Sequence, residues 1–329
     1  MILYLTHYLL ALLLTAFFLF ILIPLAPKVG LIDIPNQRKC HVCPTPLVGG
    51  IAIFLSILFS LLILSYFTRY QWPFYILAAL GILGLLDDYR DLKASLKLAL
   101  ELVLCSIFIL SSGDYIIWAD SLSHMNSVLT IIFMVALINS SNMLDGVDGL
   151  LGSFTIIALL CLAIISVYEN LYQDLVLLSL FIGALMGFLP FNFQFAAKKK
   201  SLTFLGDAGS LMLGFILSWF CIMLSHKINI FYLIWFVALP LFDMGRVILV
   251  RLWAGHHPMH SDRQHLHHLL LKKYSPHKTV LISLLITLGL SIFGIMGWVY
   301  ETPRHVMAVN IILVFCIYCY LISSYVKVP

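Results

Sequence analysis

An all-α integral membrane protein with about eleven transmembrane helices is the fold class this sequence predicts, and three observations carry it. Hydrophobic residues fill 62% of its 329 positions, where a soluble domain holds about 45–50%. Charged residues make up only 10% and the mean hydropathy is +1.05, which leaves little polar surface for a water-facing shell. Apolar runs of near 20 residues, long enough to cross a hydrocarbon core of about 30 Å as helix, recur along the whole length. The chain reads as one polytopic membrane domain over residues 1–329, with no room for a separate soluble module.

In order, hydropathy places spans at 3–26, 46–66, 73–87, 95–112, 127–143, 150–168, 173–190, 209–224, 230–250, 279–299 and 306–326. The first lacks a positive n-region and a small-residue cleavage site before Lys28, so it reads as a retained helix and not as a signal peptide. The third and fifth spans are short and run directly into charged motifs. Cys105, Cys161, Cys221, Cys316 and Cys319 fall inside spans and read as small core residues. A single CxxC, Cys40 to Cys43, has no second pair to complete a zinc site.

Lysine and arginine fix the orientation. With the N-terminus outside, the inner loops and inner span ends hold Lys28, Arg38, Lys39, Arg90, Lys93, Lys97, Lys198–Lys200, Arg246, Arg251, Arg263, Lys272, Lys273, Lys278 and Lys327. Only Arg69, Lys227 and Arg304 fall outside, three against sixteen. The predicted topology is therefore N-terminus outside and C-terminus cytoplasmic. The net charge of +4 follows from this bias and calls for no nucleic-acid partner.

The acidic residues sort as well. Asp87 and Asp88 in GLLDDYRDL, Asp145 and Asp148 in NMLDGVDGL, and Asp207 in TFLGDAGS end different spans on the cytoplasmic side. The loop HHPMHSDRQHLHHLLLKK joins them, and seven of the twelve histidines lie between His256 and His277. A charge at mid-membrane costs about 2.5–3.5 kcal/mol on insertion scales. One aspartate at a helix end is adequately explained as a solvated cap; five from separate segments beside histidines are not. The site is thus expected near loops 27–45, 87–95, 143–150, 191–208 and 251–278.

Clustered carboxylates raise one another's pKa unless a cation or donors intervene. Hard oxygen ligands suit Mg²⁺, with Mn²⁺ the alternative, and magnesium usually takes one or two carboxylates plus substrate phosphates. Carboxylates, a dication and surrounding Lys, Arg and His point to chemistry on a phosphate ester. Gly146, Gly149, Gly206 and Gly209 allow close backbone approach to a ligand or positive φ. The amides at the start of the eighth span favour an anion. Asn139 and Asn142 are expected to donate to Asp145 and Asp148 and keep them ionised.

These motifs, in this order, resemble the polyprenyl-phosphate N-acetylhexosamine-1-phosphate transferases. The matching elements are Asp87-Asp88-x-x-Asp-Leu with Lys97, Asn139-x-x-Asn142-x-x-Asp145-Gly-x-Asp148-Gly, Phe204-Leu-Gly-Asp207-Ala-Gly-Ser and Arg263-Gln-His265-Leu-His267-His268. GLIDIPNQRKCHVCPTPLVGG resembles the family's first cytoplasmic loop, and the likeness covers about residues 28 to 270. The histidine run is interrupted by Leu266 and followed by Leu269, which resembles the branch acting on UDP-GlcNAc more than the branch acting on UDP-MurNAc-pentapeptide.

The resemblance implies transfer of GlcNAc-1-phosphate to undecaprenyl phosphate with release of UMP. It makes Asp207 the metal ligand, with Asp87 or Asp88 assisting and orienting or deprotonating the lipid phosphate. Phe204 would stack on uracil, and Asp148 with Asn192 would contact the nucleotide. Lys97, Arg38 and Lys39 would attract the lipid phosphate, and His265, His267, His268 and Arg263 the diphosphate or sugar. A homodimer is compatible with all of this. Two other classes compete. An intramembrane aspartyl protease needs Gly where Phe204 stands, and a transporter needs ionisable residues near mid-membrane, whereas these gather at one interface.

Overall fold

Helices begin and end close to where hydropathy puts them. The structure, a computed structural model, describes residues 2–35, 43–119, 121, 123–193, 200–258 and 262–326. Arg38, Lys39, Cys40, Lys198, Lys199 and Lys327, named above, lie outside the described residues, as do His41 and His260. In chain order the elements are α1 (Ile2–Val29), β1 (Ile32–Asp33), β2 (Thr45–Pro46), α2 (Gly49–Ile63), α3 (Phe67–Arg90), α4 (Ala94–Ser112) and α5 (Ser123–Leu144). Then come α6 (Leu150–Tyr168), α7 (Tyr172–Asn192), α8 (Gly206–Ser225), α9 (Ile230–Leu233), α10 (Ala238–Trp253), α11 (Leu266–Leu271), α12 (Pro276–Val299) and α13 (Arg304–Val326).

Each of the eleven predicted spans meets a helical segment. Among the described residues, nine helices are long and apolar enough to cross a membrane, so this is a multi-pass membrane protein. Of the other two, α2 has 15 residues, about 22 Å of helix, and α3 has 24 with a break in helical backbone at Tyr70, three residues before Pro73. The ninth span is interrupted: α9 gives way to a 3₁₀ turn at Ile234–Val237 before α10. Pro240, which has no N–H for the preceding turn, accounts for the restart. The only described strands are a two-residue antiparallel pair, Ile32 opposite Pro46 and Asp33 opposite Thr45.

Helix α8 is the axis. It is buried along nearly all its length and packs against α3 and α5, while α1 lies on α7 and faces outward with α13. Cys105, Cys161 and Cys221 are core residues as expected; Cys316 on α13 is exposed instead, because that helix is peripheral.

Small residues set the α3–α8 approach. A Cβ on Gly84 would stand 2.3 Å from the Ala208 amide nitrogen. Gly84→Ala is therefore expected to force the two helices apart at the point that carries Asp87 and Asp207. Overpacking of this kind costs about 1–3 kcal/mol. A thermal melt of the detergent-purified protein checks this, with a lowered midpoint as the expected result.

Candidate active site

The helix ends that meet at one face of the bundle include the C-terminal ends of α3, α5 and α7 and the N-terminal ends of α2, α4, α6 and α8. Helix α3 stops at Asp91, in the left-handed region with φ 51°, a conformation that Asp tolerates better than most residues. Its amide bonds the Asp87 carbonyl, and the Leu92 amide donates to Asp87 Oδ1 at 2.7 Å. This tight turn sends the chain back into α4 and brings Lys97 over Asp87. Lys97 Nζ then donates to Asp87 Oδ2 at 2.6 Å and to Asp207 Oδ2, on α8, at 2.7 Å. Two carboxylates from different helices face one another across a single ammonium.

Asp88, the next residue, faces the other way. Its carboxylate accepts from the amides of Asp207 at 3.0 Å and Ala208 at 3.4 Å. The positive end of the α8 dipole, expected to hold a ligand anion, thus holds the protein's own carboxylate. Asp88 consequently reads as the cap that orients Asp207 and not as a base open to the lipid phosphate.

The turn between α5 and α6 forms the next wall. Asp145 lies there near Asp207, Asp148 and Asp88; burial, and then the charge of those three, pushes its carboxyl up to about 8. The asparagines do not serve it as expected. Asn139 donates to Glu101 and to the Val135 carbonyl. Asn192, buried at the end of α7, accepts from the Gly149 amide at 2.7 Å and donates to the Thr203 carbonyl at 3.0 Å. It clamps two loops together with its own amide. Ser201 hydrogen-bonds Asp148. Phe204, half-buried, is fixed through its backbone, with its N–H to Pro46 and its carbonyl receiving Gly49.

The histidine loop is held from within the bundle. Asp243, in α10, is buried and receives four donors. His265 Nδ1 lies 2.8 Å from its Oδ2, while Leu266 N at 2.9 Å, Tyr318 OH at 3.1 Å and Arg246 Nη2 at 3.3 Å reach its Oδ1. Arg246 also donates to the Gln264 carbonyl. Arg251 reaches Asp262 at 2.8 Å and the Pro258 carbonyl at 2.6 Å. Burial raises the Asp262 carboxyl, but the Arg251 hydrogen bond, the Gln264 amide and the charges of Arg251 and His265 together hold the group below its ordinary range.

His267 lies against the turn between α5 and α6. Its ring stacks parallel to His265, sits 4.1 Å from the His268 centroid, and rests on Gly146, where any Cβ would fall 2.2 Å from Nε2. The close approach expected of Gly146 is therefore to this imidazole. His267 is 1% exposed, yet neither ring nitrogen has a hydrogen-bond partner. Burial, with His268 beside it, lowers its pKa to about 3, so the ring is neutral. Burial also lowers His268, followed by the charges of His265 and Arg263. Arg263 itself is exposed.

Of the expected residues, Asp87, Asp88, Lys97 and Asp207 form one contiguous set, and His265, His267 and His268 form a second, joined to the first by the Asp145–Gly149 turn. Asn142 is half-buried in the last turn of α5, while Arg38 and Lys39 lie outside the described residues. Glu101, Ser201 and Tyr318 were not foreseen. Glu101 had a legible signal, being the one acid inside the span 95–112, and an ionisable residue in a span is a functional candidate by default.

Helices of membrane length, with carboxylates, one bridging lysine and histidines gathered at one end, define a polytopic membrane protein with a polar site at the membrane face. Residues 70–225 match the glycosyl transferase family 4 model. The chain is 32% identical to the undecaprenyl-phosphate alpha-N-acetylglucosaminyl 1-phosphate transferase of Escherichia coli K12, over 95% of this chain and 89% of that protein. It is 31% identical to the protein of that name from Yersinia pestis, over 93% and 88%, and 29% identical to that of Haemophilus influenzae Rd, over 93% and 90%. The chain belongs to glycosyl transferase family 4.

Proposed function

We propose that this protein transfers GlcNAc-1-phosphate from UDP-GlcNAc to undecaprenyl phosphate, giving undecaprenyl-pyrophosphoryl-GlcNAc and UMP, at the cytoplasmic face of a bacterial inner membrane. The observation that carries the reading is the opposed pair Asp87 and Asp207, bridged by Lys97 and walled by Asp145 and the unpartnered His267. In the reaction a lipid-phosphate oxygen attacks the phosphorus bound to the sugar. The bond from that phosphorus to the bridging oxygen breaks, and UMP leaves with the electron pair.

The donor set suits magnesium. Asp87 and Asp207 offer hard oxygens on facing helices, and their mutual repulsion already requires a cation between them. Among the described residues no three His, Cys, Asp or Glu groups form a closed cage, which fits an ion completed by water and phosphate; Mn²⁺ would find the same ligands. Bound there, the ion would neutralise diphosphate charge. The chain's own residues do the rest. Asp88 fixes the start of α8 and so the direction of Asp207. Asp148 and Phe204 face the nucleotide, with the Asn192 clamp holding their loops in register. Neutral His267, through one ring N–H, and His265, oriented by Asp243, address the diphosphate or sugar, with His268 and Arg263 at the mouth.

Purified protein incubated with undecaprenyl phosphate, Mg²⁺ and a panel of UDP-sugars is expected to release UMP with UDP-GlcNAc. Release only with UDP-MurNAc-pentapeptide would reassign the substrate, and no release with any sugar nucleotide would sink the transferase reading.

A further inference from the structure

Among the described residues, Glu101 is a charge that the site does not yet account for. It lies in α4, four residues beyond Lys97 and so on the same helix face one turn deeper. It is 0% exposed. Asn139 donates to its Oε2, while Oε1 has no partner. Leaving a carboxylate oxygen unpaired in a membrane bundle costs free energy that packing does not return. Helix side chains lean toward the N-terminus, so the Glu101 carboxyl lies over the turn that carries Lys97. The two groups are within electrostatic reach of each other.

Lys97 has a corresponding problem. Its ammonium stands between the two carboxylates that a dication would use, at 2.6 and 2.7 Å. A dication and an ammonium repel at that range, so the lysine has to leave when the ion enters. Its four-carbon stem permits this by rotamer change alone.

We propose that Lys97 is a built-in counter-ion with two berths, the gap between Asp87 and Asp207 when no dication is bound, and Glu101 when one is. Asn139 holds Glu101 in place to receive it. The same ammonium thus keeps the facing carboxylates together before the ion arrives and neutralises a buried acid afterwards. Glu101 is a positioning residue, acting through Lys97, and this rests on the reading of Asp87 and Asp207 as metal ligands.

The test is Mn²⁺ binding to the full-length protein in detergent, read from the electron paramagnetic resonance of the free ion, with no substrate present. Glu101→Gln is expected to weaken Mn²⁺ about tenfold, the scale of one charge-assisted hydrogen bond. Lys97→Met alone is expected to tighten it, because the competitor for the gap is gone. In the Lys97→Met background, Glu101→Gln is expected to shift affinity less than about twofold, as independent sites do. An equal weakening by Glu101→Gln in both backgrounds would make Glu101 a through-space charge or a ligand and overturn the proposal, as would weaker binding in Lys97→Met. The last comparison needs no Glu101 variant, so a misfolded Glu101→Gln leaves the proposal open to refutation. Asp207→Asn separates the two readings: if Mn²⁺ affinity survives it, the metal assignment fails together with the berth exchange. If affinity is lost there but unchanged in Glu101→Gln, only the exchange fails.

Discussion

Asp207→Asn is expected to reduce turnover by on the order of 10³-fold while the protein still inserts and melts within a few degrees of the wild type. Asparagine keeps the shape of the side chain and leaves the backbone amide of residue 207 bonded to Asp88. What it removes is one of the two negative charges that face each other across Lys97. The lysine would then pair with Asp87 alone, and the gap would lose the charge density that draws a dication.

The neighbouring substitution separates chemistry from scaffolding. Asp88→Asn removes the charge at the start of α8 but keeps an acceptor oxygen for its amides, a change worth about 0.3–1 kcal/mol through the dipole. Its effect should appear first as a lowered melting midpoint, with turnover reduced less than in Asp207→Asn. Initial rates of UMP release and thermal melts on the same preparations measure both. Turnover of Asp207→Asn above a tenth of wild type, or an equal loss in Asp88→Asn, would remove the division of labour between the two aspartates.

That division was not legible in the sequence. Asp87 and Asp88 are adjacent in one motif, and only their projection from α3 shows that one meets Lys97 and the other the α8 amides. The spans were legible because lipid imposes a length and a composition on every crossing segment. The convergence of the motifs followed from the alternation of loops. Hydrogen-bond partners do not follow from such rules. Asn139 reads as a donor to the aspartates of its own motif, yet it bonds Glu101 from α4. Asn192 reads as a ligand contact, yet it ties Gly149 to Thr203. Both choices depend on which helices pack side by side. The interruption between α9 and α10 could be suspected from Pro240, but its 3₁₀ form depends on local packing.

Asp243→Ala is expected to be the most damaging substitution outside the carboxylate–lysine set, because Asp243 joins three parts of the chain that share no sequence neighbourhood. Its carboxylate holds Arg246 of its own helix, the His265–Leu266 backbone and ring at the start of α11, and the Tyr318 hydroxyl of the last helix. Alanine leaves a guanidinium 2% exposed with its nearest counter-charge gone. Breaking a buried pair by removing one partner costs about 3–5 kcal/mol, a large share of any protein's margin. The histidines lose their setting at the same time. An ionised carboxylate only accepts, so contact with Asp243 Oδ2 places a His265 proton on Nδ1 and fixes the direction of Nε2. Without Asp243 that direction is no longer fixed, and the parallel stack of His265 on His267 loses its anchor. A melting midpoint lowered by several degrees, faster proteolysis within residues 255–275 and a fall in turnover of about 100-fold or more are the expected results. Tyr318→Phe, which removes one of the four donors and leaves the charge pairing intact, is expected to cost about 1 kcal/mol and to spare most of the turnover. If Asp243→Ala melted like the wild type, or if Tyr318→Phe matched it in lost turnover, Asp243 would be no more than one polar contact among several, and the histidine loop would have to draw its order from Arg251 and Asp262 instead.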